Sequence, residues 1–341
     1  MTANFISNPF SPVAGEYNGL FSESNEVRHA SAGFFTLTLS SKSTYSGRLF
    51  VDGNILSISG KFDLSGETAR TVSRSKFGKS TLNLALALDW STTNETIHGT
   101  LSDGVWVSGL SGNRSTFDAT FNPTTNFLGR YSALIPQPTN GPTEAPGGYG
   151  FLLVTNSSAG VITISQGALG DGTLLSQKVP MSKFGKWPLY IPTYKAITRY
   201  TNGITVTTNL SEMRGALFGW VTFTNNPTRN LVGTVDWMKS ELSPTNTYYT
   251  AGFTNRAGLI ASAYYPPATG SRLLNLDYSW VVLDDGNLVS PSTNTIYIQT
   301  NNVAVTVTTS DQLKLSFDAK IGLLKGTFAH PHNTNKITSF S

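Results

Sequence analysis

The sequence predicts an all-β protein: two related antiparallel meander units, barrel-like or sandwich-like, followed by a partial third, with a β-propeller as the alternative architecture. Three observations carry this expectation. Apolar residues alternate at period two in short runs, as in Phe34-Phe35-Thr36-Leu37-Thr38-Leu39, which puts one face of each run on a core. The runs are separated by hairpin chemistry such as Asp52-Gly53-Asn54 and Asp103-Gly104, residues that accept tight-turn backbone angles. The pentapeptide Ser-Lys-Phe-Gly-Lys occurs at 75–79 and again at 182–186, 182 − 75 = 107 residues apart, with further matches on both sides. A propeller would repeat every 40 to 50 residues or so, which these offsets do not.

Composition supports strands and narrows function. Charged residues make up 13% of the 341, and 32 residues are Gly, against a charged share of about a quarter in an average domain. Thr, Val, Tyr and Phe suit a pleated surface while Gly, Asn and Ser suit turns. The chain has no Cys, which excludes disulfides, thiolate metal sites and a Cys nucleophile. A net charge of +4 comes from Lys and Arg spread singly, without a run of four, whereas a nucleic-acid footprint needs clustering. No nucleic-acid partner and no cofactor are therefore expected. No apolar run approaches the roughly 18 residues of a membrane span. Residues 1–12 lack both parts of a signal peptide, so either the protein is cytosolic or its export signal lies outside this chain.

In chain order, residues 1–14 read as an N-terminal arm and 15–125 as the first β unit, with strands at 34–39, 45–51, 55–62, 82–90, 97–102 and 105–110. A second unit, 129–270, opens with Gly129-Arg130-Tyr131, matching Gly15-Glu16-Tyr17 at an offset of 129 − 15 = 114. Residues 82–90 match 216–224, and Gly99-Thr100 matches Gly233-Thr234, both at 134, so the offset has grown by 134 − 107 = 27. One aromatic insertion, 187–214, explains the jump and is expected as a surface excursion able to carry function. Residues 271–341 form the partial third unit, where Gly326-Thr327 repeats the Gly-Thr pair in an apolar setting; such a Gly marks close packing or a bulge. Its last strand, starting near Lys336, has no successor, which predicts a piece cut from a longer protein.

Several motifs reduce to turns. Phe77-Gly78-Lys79-Ser80 resembles the tail of a phosphate loop, but the earlier glycine position is Ser73 and no helix follows. His330-Pro331-His332 supplies two imidazoles where a metal needs three or four ligands, and Asp284-Asp285-Gly286-Asn287 reads as a hairpin loop before a calcium loop. No metal site is expected. Asp89-Trp90 and Asp236-Trp237 could provide the two carboxylates of a glycoside hydrolase with an aromatic wall, although each Asp also suits a strand end with its Trp in the core.

The aromatic clusters carry the functional expectation. Trp187, Tyr190 and Tyr194, interleaved with Pro188 and Pro192, and Tyr248, Tyr249, Tyr264 and Tyr265 supply rigid amphipathic faces for a sugar ring or a protein partner. The competing reading has them plug a barrel end or the seam between units.

The pattern Gly15-Glu16-Tyr17-Asn18-Gly19-Leu20-Phe21, Ala32-Gly33-Phe34-Phe35, Tyr45-Ser46-Gly47-Arg48-Leu49, Ile58-Ser59-Gly60-Lys61-Phe62, Trp187-Pro188-Leu189-Tyr190 and Tyr249-Thr250-Ala251-Gly252-Phe253 resembles an uncharacterised duplicated β-rich module. That module lies near the C-termini of large secreted or surface proteins of environmental bacteria, often beside immunoglobulin-like domains. The resemblance covers most of the chain and implies a β fold and a bacterial, secreted or cell-surface setting, but no catalytic residues. It also implies a further strand pair beyond Phe340. The expected function is a non-catalytic extracellular module that binds polysaccharide or a protein partner, or spaces other domains of a larger surface protein. The alternative is a carbohydrate-active hydrolase using Asp89 and Asp236.

Overall fold

The computed structural model describes residues 8–91, 95–137, 145–195, 199–201, 204–206, 212–225, 228–241, 249, 251–284, 288–308, 311–330 and 333–340. Among these the chain is all-β and antiparallel. The helical content of the described residues is one 3-10 turn, Ser75–Phe77, and no helix among them is long and apolar enough to cross a membrane. The chain divides into two compact units, residues 1–262 and 263–341.

The first unit opens with eight strands: β1 (Gly15–Ser22), β2 (Gly33–Leu39), β3 (Thr44–Val51), β4 (Asn54–Lys61), β5 (Glu67–Val72), β6 (Leu82–Leu88), β7 (Thr96–Ser102) and β8 (Val107–Arg114). They form one nearly closed, barrel-like sheet in the order β4-β3-β2-β1-β8-β7-β6-β5. The alternation read from sequence is the alternation observed: Leu82, Leu84, Leu86 and Leu88 are buried and share a core with Phe35, Leu37, Leu39, Leu49 and Leu101.

The second repeat follows with β9 (Gly129–Ile135), β10 (Gly150–Asn156), β11 (Val161–Ala168), β12 (Lys178–Pro180), β13 (Lys186–Lys195), β14 (Arg199–Thr201), β15 (Ile204–Val206), β16 (Met213–Thr224), β17 (Asn230–Lys239), β18 (Phe253–Gly258) and β19 (Ile260–Tyr264). Its sheets run β12-β11-β10-β9-β19 and β13-β16-β17-β18, with β14-β15 a separate hairpin. The orders β12-β11-β10-β9 and β13-β16-β17-β18 repeat β4-β3-β2-β1 and β5-β6-β7-β8.

Side chains confirm the duplication. Gly15 and Gly129 open their repeats at φ +145° and +143°. Two residues on, the Tyr17 hydroxyl donates to the Val13 carbonyl at 2.6 Å and the Tyr131 hydroxyl to the Phe127 carbonyl at 2.9 Å. An arginine also sits at each opening, though from a different strand: Arg114, at the end of β8, donates to the Pro12 carbonyl at 2.7 Å, and Arg229, just before β17, to that of Leu128 at 2.6 Å. The recurrent Gly-Thr glycines are places of close approach: a Cβ on Gly99 would lie 2.0 Å from the Ala85 carbonyl oxygen, and one on Gly233 2.6 Å from that of Trp220.

Both copies of Ser-Lys-Phe-Gly-Lys are tight turns. Gly78 and Gly185 take left-handed φ values of +67° and +70° and donate their N–H to the carbonyls of Ser75 and Ser182, both at 3.0 Å; only Gly adopts that region without a side-chain penalty. In each, the first Lys lies over its neighbouring Phe ring, Lys76 on Phe77 and Lys183 on Phe184. By strand order, however, the first copy leads into the sixth strand of its repeat and the second into the fifth. The twin pentapeptides therefore share a local geometry and not a position in the plan. The second repeat is longer at several places and not at one: 169–177 separates β11 from β12 where 52–53 separates β3 from β4, 196–212 separates β13 from β16 where 73–81 separates β5 from β6, and 240–252 separates β17 from β18 where 103–106 separates β7 from β8.

The expectation that residues from 187 onward form a surface excursion is corrected over Lys186–Lys195, which is a ten-residue strand buried on both faces. Its Tyr190 ring stacks on Phe34 at 6.2 Å and sits 6.2 Å from Phe50, joining the second repeat to the first. Polar contacts reinforce the joint: Lys79 lies 2.6 Å from Asp52 and 2.8 Å from Glu212, and His29 Nε2 donates to the Met213 carbonyl at 3.0 Å.

The second compact unit contains β20 (Tyr278–Leu283), β21 (Ser292–Ile298), β22 (Ala304–Thr308), β23 (Lys314–Asp318), β24 (Leu323–His330) and β25 (Asn333–Phe340). Two three-stranded sheets, β20-β21-β22 and β23-β24-β25, contribute to one small core around Ile296, Ile298, Leu313 and Phe328.

Candidate ligand-binding face

The sheet β20-β21-β22 is apolar on both faces, and that is what sets it apart. Val281, Leu283, Ile296 and Ile298 point into the core. The intervening residues point to solvent: Tyr278, Trp280 and Val282 on β20 are exposed, Trp280 at 74%, as are Val305 and Val307 on β22. The register sets Tyr278 opposite Tyr297, Trp280 opposite Thr295, Val282 opposite Thr293, and Tyr297 opposite Val305. The Tyr278 and Tyr297 rings are 5.0 Å apart. At strand spacings of about 4.8 Å and rises of about 3.4 Å per residue, this face measures roughly 10 by 14 Å. A face of this kind, aromatic with two threonine hydroxyls, sets flat apolar rings and hydrogen-bonding groups side by side.

Two features make it a platform. None of the residues of the three strands is charged; the charges nearest along the chain, Asp277 and Asp284, stand at the two ends of β20. Beneath it, Asp311 braces β21: its Oδ2 accepts from Ser292 Oγ at 2.6 Å and from Asn294 Nδ2 at 3.0 Å, with Asn294 fully buried. A central strand held from below presents its outer side chains with little freedom left to lose on binding.

The aromatic residues singled out from sequence take other places. Trp187 is 0% exposed, its indole N–H donating to Gln177 Oε1 at 2.8 Å, and Tyr190 is buried in the joint between repeats. Burial pushes the Tyr190 hydroxyl well above the ordinary phenol range. Both are interior residues because β13 pairs into its sheet, so the ligand-facing role expected of them is corrected to a packing role. Tyr194 is half-buried at φ +58°. Its hydroxyl donates to Asp171 Oδ2 at 2.6 Å and accepts from Trp237 Nε1 at 2.8 Å, while Lys239 Nζ lies 5.2 Å from its ring centre. Desolvation first, then Asp171, drives that phenol up in pKa. Tyr249, also in the left-handed region at φ +59°, packs on Phe253, which meets Trp237 edge-on at 5.0 Å. In the second unit the Tyr264 hydroxyl donates to the Ala319 carbonyl at 2.6 Å, and Tyr265 is exposed. Tyr248 lies outside the described residues.

The two aspartates have different surroundings. Asp89 follows β6 and opens a turn, accepting from the Ser91 N–H at 2.8 Å. Asp236 lies within β17, 5% exposed and 3.4 Å from Arg256. Desolvation raises its carboxyl above the usual range, and Arg256 offsets only part of that. Among the described residues, no group of three or more His, Cys, Asp or Glu could hold a metal ion. Residues 285–287 and 331–332 of the two other polar motifs lie outside the described residues.

Sequence reasoning passed over Tyr278, Trp280 and Tyr297. The available signal was Tyr-Ser-Trp-Val-Val-Leu over 278–283, a strand with large apolar residues at both parities; such a strand has one apolar face to spare when only one side meets a core. No family model, no curated protein and no solved structure matches the chain.

Proposed function

We propose that the protein is a non-catalytic binding module of an exported bacterial protein, and that its second compact unit binds an uncharged polysaccharide through Tyr278, Trp280 and Tyr297. The observation that carries this reading is the solvent-facing, charge-free aromatic side of β20-β21-β22. Sugar rings offer apolar faces edged by hydroxyls. Exposed Trp and Tyr rings cover such faces, and Thr293 and Thr295 offer hydroxyl partners in the same plane. The cysteine-free, Thr- and Gly-rich composition and the resemblance to modules of large surface proteins support the exported setting.

The test is depletion of the purified chain from solution by a panel of insoluble and soluble polysaccharides, neutral and charged, with release of reducing ends measured alongside. Depletion by a neutral polymer, lost in Trp280→Ala and without release, supports the reading. Release of reducing ends that stops in Asp236→Asn would replace it with a hydrolase, and depletion unaffected by Trp280→Ala would place binding elsewhere.

A further inference from the structure

The eight-stranded sheet of the first unit is hydrogen-bonded between every neighbouring pair in its order, and ends in β4 on one side and β5 on the other. These two strands are consecutive, joined by a turn whose first rung is made: the Asp63 N–H donates to the Glu67 carbonyl at 3.0 Å. Beyond that rung an ordinary hairpin would pair Ser59 with Thr71 and Ser57 with Ser73. Instead the strands part, and a cleft of about 470 Å³ opens between residues 56–59 and residues 70–73, with Lys76 at its margin.

Edge strands carry alternate N–H and C=O groups with no partner in the sheet. Here two such edges face each other across one gap, and each wall is four residues long, or about 13 Å of extended chain. The charge in the cleft is of one sign. Arg70 and Lys76 line it, both exposed, and neither forms an ion pair among the described residues. Arg70 lines the cleft from β5, two residues from Val72, whose side chain is in the core. The remaining polar lining is hydroxyl: Ser57, Ser59, Thr71 and Ser73.

We propose that this seam takes up an extended acidic peptide segment as a ninth strand, paired on one side with β4 and on the other with β5. Main-chain hydrogen bonds to two edges give affinity and carboxylates on Arg70 and Lys76 give choice, the division of labour of strand addition. The same arginine works against self-association, because a second copy docking by its own edge would bring Arg70 against like charge. The occupant is therefore a partner with Asp or Glu in an extended segment.

The experiment uses the full chain and a fluorescent peptide alternating glutamate with threonine and valine. Expected are saturable binding that weakens with salt, and slowed amide hydrogen exchange confined to residues 54–61 and 67–72. Arg70→Glu with Lys76→Glu, both exposed and so compatible with the fold, should weaken the acidic peptide by tenfold or so and more and admit its lysine counterpart. Three results would overturn the proposal: no binding by the acidic peptide, equal binding by a backbone N-methylated version that cannot pair with both edges, or equal protection of the seam by a sulfated oligosaccharide.

Discussion

Two tryptophans separate the packing role from the ligand role. Trp280 is 74% exposed and Trp187 0%. An aromatic side chain of this size presents up to about 250 Å². Three-quarters of that, with one ring face covered by ligand, removes about 90 Å² from water, or about 2 kcal/mol at 25 cal/mol per Å². Trp280→Ala should therefore lower affinity for a neutral polysaccharide by about thirtyfold while moving unfolding stability by less than about 0.5 kcal/mol. Trp187→Ala removes a fully buried ring and strands Gln177, and should cost about 3 to 5 kcal/mol in stability. In whatever fraction stays folded, its affinity should be unchanged. Denaturant unfolding of each variant beside depletion isotherms on the insoluble polymer gives both numbers. If Trp280→Ala binds as tightly as the parent, or if Trp187→Ala abolishes binding at unchanged stability, the reasoning from exposure fails.

Three further outcomes follow from the first unit. Burial lowers the pKa of His29, whose Nδ1 has no partner among the described residues. The unfolded chain thus takes up the proton first, and stability present above about pH 6.5 declines as pH falls toward the folded pKa, by up to about 1.4 kcal/mol per pH unit. His29→Gln should remove that slope from the pH dependence of chemical denaturation, and an unchanged slope would show another group responsible. Asp236 is raised, so the folded state holds its proton longer than the unfolded chain; stability is lost as pH rises from the unfolded carboxyl value through the folded pKa, and the loss is complete above it. Asp236→Asn should then raise the melting temperature at pH 7 and not near pH 3; a fall at pH 7 would mean that Arg256 outweighs desolvation. Tyr17→Phe and Tyr131→Phe each remove one hydroxyl-to-carbonyl bond in equivalent positions and should each cost about 1 kcal/mol. A cost in only one of the two would break the equivalence of the repeats.

Much of the fold was legible because period-two alternation and turn residues act locally. Strands β2, β3 and β4 and the openings at Gly15 and Gly129 follow from residues within a few positions of one another. What was misread depended on neighbours far along the chain. Pro188 and Pro192 suggested a loop, yet β13 lies at the end of its sheet and pairs only with β16, where a missing N–H leaves no rung broken. Its alternation was hidden because the first repeat covers its other face. Strand β5, Glu-Thr-Ala-Arg-Thr-Val, escaped notice because an edge strand with a single strongly buried residue has almost no pattern to show. The aromatic face was invisible for the opposite reason: with large apolar residues at both parities, 278–283 could not reveal which side would meet the core.

The order β4-β3-β2-β1-β8-β7-β6-β5 also dictates how the first sheet assembles in time. Each half is a meander whose rungs join residues close in sequence, and hairpins form in about 1 to 10 μs. Only the β1–β8 rungs, from Tyr17 with Arg114 to Ser22 with Gly109, require the chain to close a loop of most of the repeat. The entropy of that closure grows only with the logarithm of loop length, but it precedes any reward from the pairing. The β1–β8 zipper is therefore the slow step for this sheet. Mutations along it should slow refolding, whereas those in the outer strands β4 and β5 should mainly hasten unfolding.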